Sequence, residues 1–101
     1  MAGHIRLAKM YYVYILRCAD DSFYVGSAQN VDARVKAHND GRGAAYTFKH
    51  RPVSLVYSED FHSEDEALTR ERQLKHWSRE KKEALIARNL NRLKHLSKRR
   101  S

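Results

Sequence analysis

The 101-residue chain has little cysteine, and its apolar residues never form a long uninterrupted run. The single cysteine, Cys18, excludes an internal disulfide and favours a reduced thiol in a cytoplasmic protein. No apolar stretch approaches the ~20 residues of a membrane span, and residues 1–10 lack the apolar core of a secretory signal. The composition therefore predicts one cytoplasmic domain with a modest core and no membrane partner.

Several common catalytic patterns are also missing. No Cys/His spacing suits a zinc site, and no glycine-rich loop precedes a helix in the way that phosphate-binding loops do. No Ser/His/Asp set is suggested either. The carboxylates of residues 59–66 form a cluster, but helix capping and solvation explain it. These absences leave phenols, arginines, a histidine and an isolated glutamate as the groups with chemical potential.

The net charge of +8 is distributed unevenly. From Arg70 to Ser101 there are 12 Lys/Arg and 3 Asp/Glu, whereas residues 1–69 carry 8 basic and 9 acidic residues. A one-sided basic surface suits a polyanion, most often a nucleic acid. The plain alternative is a basic helix pair with a charged tail.

The first part of the chain predicts a β-hairpin. The segments YYVYILRC (11–18) and FYVGSA (23–28) are aromatic and β-branched, and turn-forming residues separate them. Antiparallel pairing would bring Tyr14 and Tyr24 close enough to meet. Gly26, inside the second strand, indicates a bulge or a close approach to the backbone.

The rest of the chain predicts helices around one more strand. The expected elements are a helix over residues 31–40, a basic irregular loop over 41–52, a strand over 53–61, a helix over 64–77 and another helix after Ser78, with N-caps at Asn30, Ser63 and Ser78. This order predicts an α+β fold, a three-stranded, mostly antiparallel sheet flanked by helices. We expect residues 1–10 to be an extension, 11–88 the domain, and 89–101 a basic tail with helical spacing and a frayed end.

Phosphodiester cleavage needs a base for water, cations beside the phosphate oxygens and, commonly, a divalent metal on carboxylate oxygen. Tyr14 and Tyr24 are candidates, although a strand tyrosine is more often a packing residue, and a phenol is a poor base unless nearby cations lower its pKa. Arg34 can bind a phosphate, and His38, one turn later on the same helix face, can bind phosphate or move a proton. A solvated arginine and a helix-end histidine are the plain alternatives.

Glu71 is an isolated carboxylate inside an otherwise basic helix, flanked by Arg70 and Arg72. One interpretation is an i,i+4 ion pair with Lys75, which stabilises a helix by a few tenths of a kcal/mol. The other is a metal ligand among phosphate-binding cations. Composition does not decide between them.

Taken in order, these residues resemble the GIY-YIG nuclease superfamily. The name-giving triplets appear as Tyr12-Val13-Tyr14 and Tyr24-Val25-Gly26. The resemblance continues through Arg34, His38-Asn39, Gly43-Ala44, Tyr46-Thr47, Arg51-Pro52, Leu55-Val56-Tyr57, Glu66-Ala67-Leu68, Glu71, Lys75, Trp77, Lys81-Lys82 and Leu85-Ile86. Each triplet alone is a weak signal, but the ordered set over about residues 11–88 is specific. It looks most like the stand-alone, single-domain bacterial branch, whose members are largely uncharacterised.

The resemblance implies a three-stranded antiparallel sheet flanked by helices and metal-dependent endonucleolytic hydrolysis of DNA. It implies Tyr14 as general base, Tyr24 as the residue that orients water or phosphate, and Arg34 as the phosphate-stabilising cation. Glu71 would hold a single Mg²⁺ or Mn²⁺, and His38 is carried over as a further catalytic residue. The expected nucleic-acid contacts are Arg42, Lys49, Arg51, Lys75, Arg79, Lys81, Lys82 and the basic residues from Arg92 to Arg100.

Two positions depart from the family pattern. Tyr12 stands where the superfamily name has glycine, and Ala45 stands where a basic residue is expected, so that Arg42, Lys49 or Arg51 would have to supply that phosphate contact. The alternative functions are a nucleic-acid-binding module without activity and a catalytic domain that needs a protein partner for targeting. The catalytic hypothesis requires that Tyr14 does not point into a closed core.

Overall fold

The centre of the molecule is a three-stranded antiparallel sheet. In the computed structural model, which describes residues 9–98, the strands are β1 (Tyr11–Arg17), β2 (Phe23–Ala28) and β3 (Ser54–Phe61). Their order is β2-β1-β3, and β1 pairs antiparallel with both neighbours. The predicted sheet is therefore confirmed, with the aromatic first strand at its centre.

In the described part of the chain, five helices flank this sheet: α1 (Val31–Asn39), α2 (Ala45–Lys49), α3 (Glu64–Lys75), α4 (Arg79–Ile86) and α5 (Leu90–Lys98). The three expected caps are in place, since Asn30 Oδ1 accepts from the Ala33 amide, Ser63 Oγ from that of Glu66 and Ser78 Oγ from that of Lys81. Within residues 9–98, no helix is long and apolar enough to cross a membrane.

One segment is more ordered than the sequence predicts, and a second forms the helix that its spacing indicates. The loop over 41–52 contains the five-residue helix α2, which has no side-chain N-cap and is too short to show a periodic pattern. The tail over 89–101 forms α5 as far as Lys98, and α5 packs against α4. There the Arg92 guanidinium lies 2.8 Å from the Glu80 carboxylate. The last residues of the expected tail, 99–101, and most of the expected extension, residues 1–8, lie outside the described residues.

The central strand is buried on both faces, which explains its nearly continuous apolar run. Val13 and Ile15 belong to one core cluster with Ala67 and Leu74 of α3. On the other face, Tyr14 and Leu16 form a second cluster, and partly buried residues of α1 pack against it. The side chains of β1 alternate between the two faces of the sheet, and this alternation places the Tyr14 phenol on the α1 face.

Candidate active site

The hydroxyl of Tyr14 meets a histidine of α1. Its oxygen lies 3.0 Å from Nε2 of His38, and both side chains are buried, Tyr14 at 1% exposure and His38 at 2%. Arg34, one helical turn before His38, is exposed, and its charge acts to lower the pKa of the Tyr14 hydroxyl. The helix therefore presents a neutral base and a permanent cation to the same phenol.

Two glycines make room for this pair. Gly26 is the β2 partner of Tyr14 in the sheet, and a Cβ on Gly26 would overlap the Tyr14 hydroxyl. A Cβ on Gly43 would overlap Nδ1 of His38. The close approach to the backbone that the sequence indicated at Gly26 is therefore the approach of the catalytic candidate itself.

Tyr24 joins the same group through its ring. Its centroid lies 5.2 Å from the His38 ring at 63°, and 6.4 Å from the Tyr46 ring at 20°. Tyr46 in turn stacks on His50 at 4.3 Å. Tyr14 and Tyr24 are thus linked through His38 in an edge-to-face arrangement that orients all three rings.

Glu71 and Arg34 converge on the neighbouring residue of β2. Oε1 of Glu71 accepts a 2.7 Å hydrogen bond from the Ser27 hydroxyl, and Nη1 of Arg34 lies 3.5 Å from the Ser27 carbonyl oxygen. Gly26 and Ser27 are therefore the point around which the phenol, the guanidinium and the carboxylate gather. A cleft of about 470 Å³ opens beside this point, with Ser27 and Arg34 in its lining.

Burial sets the protonation states of the central pair. Burial, with smaller contributions from Tyr24 and Glu71, raises the pKa of Tyr14 to about 12, although Arg34 opposes the rise. Burial also lowers the pKa of His38, and the nearby Arg34 charge adds to this effect. At neutral pH the site therefore holds a protonated phenol against an uncharged imidazole, which can accept a proton.

Glu71 can serve as a metal ligand only as a single carboxylate. Among residues 9–98, no group of three or more His, Cys, Asp or Glu side chains could hold a metal ion. The second carboxylate oxygen of Glu71 lies 3.0 Å from the Lys75 ammonium, so the helical ion pair is present as well. One carboxylate plus water and phosphate oxygens is a usual shell for Mg²⁺. The donor set therefore fits a cation that arrives with its substrate.

The expected nucleic-acid contacts fall into separate groups. Lys75 and Lys82 line a pocket of about 330 Å³ with Tyr24 and Tyr46, and burial lowers the pKa of Lys82. Other cations have intramolecular partners: Arg42 pairs with Asp40, Arg51 lies over the Phe48 ring, and Arg79 pairs with Glu83. Lys49 is exposed.

Lys81 does not suit the role expected of it. Its side chain is only 7% exposed, and its ammonium lies 4.4 Å from the centroid of the Trp77 ring. A lysine buried against an aromatic ring is held in a cation–π contact, here with Trp77 in the segment between α3 and α4, and it is not available to a phosphate. We therefore leave Lys81 out of the proposed interface.

Sequence reasoning missed two hydroxyl residues. Ser27 holds Glu71, and Thr47 lies 2.8 Å from Nδ1 of His38. Serine and threonine are common in strands and helix starts, so their presence alone carries no signal. Thr47 did fall within the family-like segment Tyr46-Thr47, but without a role attached.

Comparison with known proteins identifies the family of the chain. The family model of the GIY-YIG catalytic domain matches residues 10–84. A UPF0213 protein of Staphylococcus haemolyticus is 50% identical over 76 residues, which cover 75% of this chain and 93% of that protein. UPF0213 proteins of Staphylococcus aureus strains match at the same identity and coverage.

Two solution structures share the fold. The UPF0213 protein BH0048 of Bacillus halodurans is 46% identical, with a TM-score of 0.51 over 77% of this chain and 83% of its own. The protein EF2693 of E. faecalis is 36% identical, with a TM-score of 0.55 over 78% and 84%. These matches extend over most of both chains, so they concern the whole domain and not a fragment of it. The chain is thus a member of the GIY-YIG domain family and, within it, of the stand-alone UPF0213 group.

Proposed function

We propose that this protein is an endonuclease that hydrolyses DNA phosphodiester bonds with the help of one divalent metal ion. Membership of the GIY-YIG family supports a nuclease-type function. The observation that carries the proposal is the hydrogen bond between Tyr14 and His38. Arg34 acts on the same phenol, and the Ser27–Glu71 contact lies one residue after Gly26, the strand partner of Tyr14. A proton acceptor, a phosphate-binding cation and a hard carboxylate are the parts that such a reaction needs.

Tyr14 acts as a relay and not as a free phenolate. With a pKa of about 12, it is almost entirely protonated at neutral pH. It can take a proton from water only while its own hydroxyl proton passes to Nε2 of His38, 3.0 Å away. The water oxygen then forms a bond to phosphorus, and the bond from phosphorus to the leaving oxygen breaks. His38 becomes an imidazolium in this step, and the leaving oxygen departs as an alkoxide that takes a proton from solvent. The imidazolium proton then returns through Tyr14 to solvent, so that proton uptake and release balance.

Charge on the phosphate oxygens is balanced by groups on both sides of Ser27. Arg34 is exposed and can place its guanidinium on a non-bridging oxygen. Tyr24, fixed against His38, orients the attacking water or the phosphate. Glu71 would hold Mg²⁺ or Mn²⁺, which supplies Lewis-acid stabilisation of the developing charge when bound.

The DNA backbone is held by cations near the site, without reading of the base sequence. Lys75 and Lys82 face the pocket that Tyr24 lines, and Lys49 is exposed on α2. Arg42, Arg51 and Arg79 would contribute where phosphate displaces or shares their intramolecular partners. The basic residues of the C-terminal segment would extend the contact.

Metal-dependent nicking of supercoiled plasmid tests the proposal. We expect wild type to nick with Mg²⁺ or Mn²⁺ and to stop when the metal is chelated. Glu71→Gln should lower the rate at least ~10²-fold, because the carboxylate charge is lost while the side-chain shape is kept. Glu66→Gln, an exposed carboxylate on the same helix, is the matched control and should nick like wild type. Equal nicking by Glu71→Gln and wild type would reject the assignment.

Two observations favour a second candidate, a nucleic-acid-binding module that does not cut. Tyr14 is only 1% exposed, and Lys75 already neutralises Glu71. Tyr14 is a member of a buried cluster, so the condition that it does not point into a closed core is not met in this structure. Cutting therefore requires that the site opens, so that water reaches Tyr14 and a metal ion reaches Glu71. A binding module would hold DNA with an affinity that falls steeply with salt, and it would leave the plasmid intact at every metal concentration. Activity that appears only with an added protein would indicate partner-dependent targeting.

A further inference from the structure

Thr47 is a fully buried polar side chain that contacts the back of the His38 ring. It is 0% exposed, and its hydroxyl oxygen lies 2.8 Å from Nδ1 of His38 and 2.9 Å from the carbonyl oxygen of Ala44. The same Ala44 carbonyl also accepts the Phe48 amide of α2, so the threonine is held by the first turn of that helix. His38 therefore has one hydroxyl partner at each ring nitrogen.

Counting protons at Thr47 assigns the tautomer of His38. A hydroxyl has one proton to donate and lone pairs to accept with. The Ala44 carbonyl has no proton of its own, so the Thr47 proton is used in that contact. Thr47 must then accept from His38, which places the imidazole proton on Nδ1 and leaves Nε2 without one.

The direction of the contact with Tyr14 follows from this tautomer. The Tyr14 hydroxyl oxygen lies 3.0 Å from Nε2 of His38. A ring nitrogen without a proton can only accept, so Tyr14 donates its proton to Nε2.

We infer that Thr47 is a positioning residue that holds His38 in the Nδ1–H tautomer, so that Nε2 stands ready to receive the Tyr14 proton. The role of this tautomer in cleavage rests on the proposed function. Gly43 is part of the same arrangement, because any side chain at this position would overlap Nδ1 of His38 and displace its ring. The hydrogen-bonded series runs from Tyr14 through His38 and Thr47 to the Ala44 carbonyl. In the reaction the imidazolium that forms keeps its Nδ1 donor on Thr47.

Nitrogen NMR of the histidine rings tests this inference without any cleavage assay. At a pH where His38 is neutral, wild type should show a protonated Nδ1 and an unprotonated Nε2. Thr47→Ser keeps the hydroxyl and should keep this tautomer. Thr47→Val removes the acceptor and should move the proton toward Nε2. A wild-type protein with its proton on Nε2 would overturn the inference, and this measurement holds even if the valine variant fails to fold.

Cleavage then separates this inference from the proposed function. We expect Thr47→Val to cut about 10²-fold more slowly than wild type, at the low end of what general-base assistance contributes. Thr47→Ser should recover most of the rate. The matched control is Thr69→Val, an exposed threonine of α3, which should cut like wild type. A wild type with the expected tautomer that cuts nothing would reject the proposed function, whereas a valine variant with the shifted tautomer and full activity would reject the positioning role.

Discussion

Two tyrosines on opposite faces of the sheet have similar burial effects but different partners. Burial raises the pKa of both Tyr14 and Tyr57 to about 12. Tyr14 donates to a neutral imidazole, whereas Tyr57 donates over 2.5 Å to the carboxylate of Glu59. Because Glu59 is already gripped by Arg70 through two 2.9 Å contacts, it is a poor proton acceptor. The buried Tyr14 phenol can therefore take part in proton transfer, whereas the buried Tyr57 phenol forms a structural contact with Glu59. The hydrogen-bond partner decides between these two roles.

The pKa values of the two partners explain this difference. Burial alone would raise the pKa of Glu59, but its hydrogen bonds to Arg70 and Tyr57 and the Arg70 charge lower it below the usual range. The lowered pKa means that the proton of Tyr57 stays on the phenol. His38 is also harder to protonate than an ordinary histidine, because of burial and Arg34. Its pKa nevertheless starts from about 6.5, so an imidazole remains a far better acceptor than a carboxylate paired with arginine.

Replacing each tyrosine by phenylalanine should show the difference between them most strongly in the rate of cleavage. Tyr14→Phe should lower plasmid nicking by about 10³-fold, since the relay loses its first member. Tyr57→Phe should cut like wild type and unfold at lower denaturant, with a loss of about 1 kcal/mol for one hydrogen bond. The measurements are nicking rates and urea unfolding on both variants. Equal nicking rates in the two variants would contradict the assignment of proton transfer to Tyr14 and of a structural role to Tyr57.

The elements of this comparison differ in how far the sequence predicts them. Strands, caps and faces follow from local chemistry: Asn30, Ser63 and Ser78 cap the helices that their positions indicate. The alternation of β1 places Tyr14 on the α1 face. These features depend on residues within a few positions of each other, which is the range over which sequence patterns are informative.

The contacts that complete the site cannot be found this way. Ser27 meets Glu71 across 44 positions, and Tyr14 meets His38 across 24. Only the packing of α1 and α3 against the sheet brings these residues together. The family resemblance supplied the partners Tyr14, His38 and Glu71 as a set, but it did not supply Ser27. It also placed a cation at Lys81, where the structure buries the side chain.

The free energy of unfolding should depend more strongly on the contacts of Glu59 than on the contact between Tyr14 and His38. Arg70→Ala removes both contacts to Glu59 and leaves a partly buried carboxylate without them, so we expect a loss of about 2 kcal/mol in the free energy of unfolding. Arg72→Ala, an exposed neighbour on the same helix, should change it by less than ~0.5 kcal/mol. Urea unfolding monitored by circular dichroism measures both. Equal losses in the two variants would mean that the Glu59–Arg70 pair adds nothing beyond ordinary helix contacts.

The pH dependence of the unfolding free energy gives the smallest effect. The contributions of His38 and Glu59, on opposite faces of the sheet, fall in different pH ranges. Because the pKa of His38 is lowered in the folded protein, the unfolded chain binds a proton at a higher pH than the folded chain does. The contribution of neutral His38 to the unfolding free energy is therefore complete above about pH 6.5 and declines as pH falls below it. A lowered pKa of Glu59 gives a contribution that is present above about pH 4.3 and declines below it. Both declines are toward acid, but they begin at different pH values.

Two variants should each remove one of these declines. His38→Gln should flatten the fall of unfolding free energy just below pH 6.5, while leaving the fall below pH 4.3 in place. Glu59→Gln should do the reverse, although its stability at neutral pH will be lower because the Arg70 contacts are weakened. The quantity to compare is the slope of unfolding free energy against pH, and not its absolute value, since the slope counts protons bound on unfolding. If His38→Gln left the upper slope unchanged, the histidine beside Tyr14 would not be held neutral by its surroundings, and the relay would lose its acceptor.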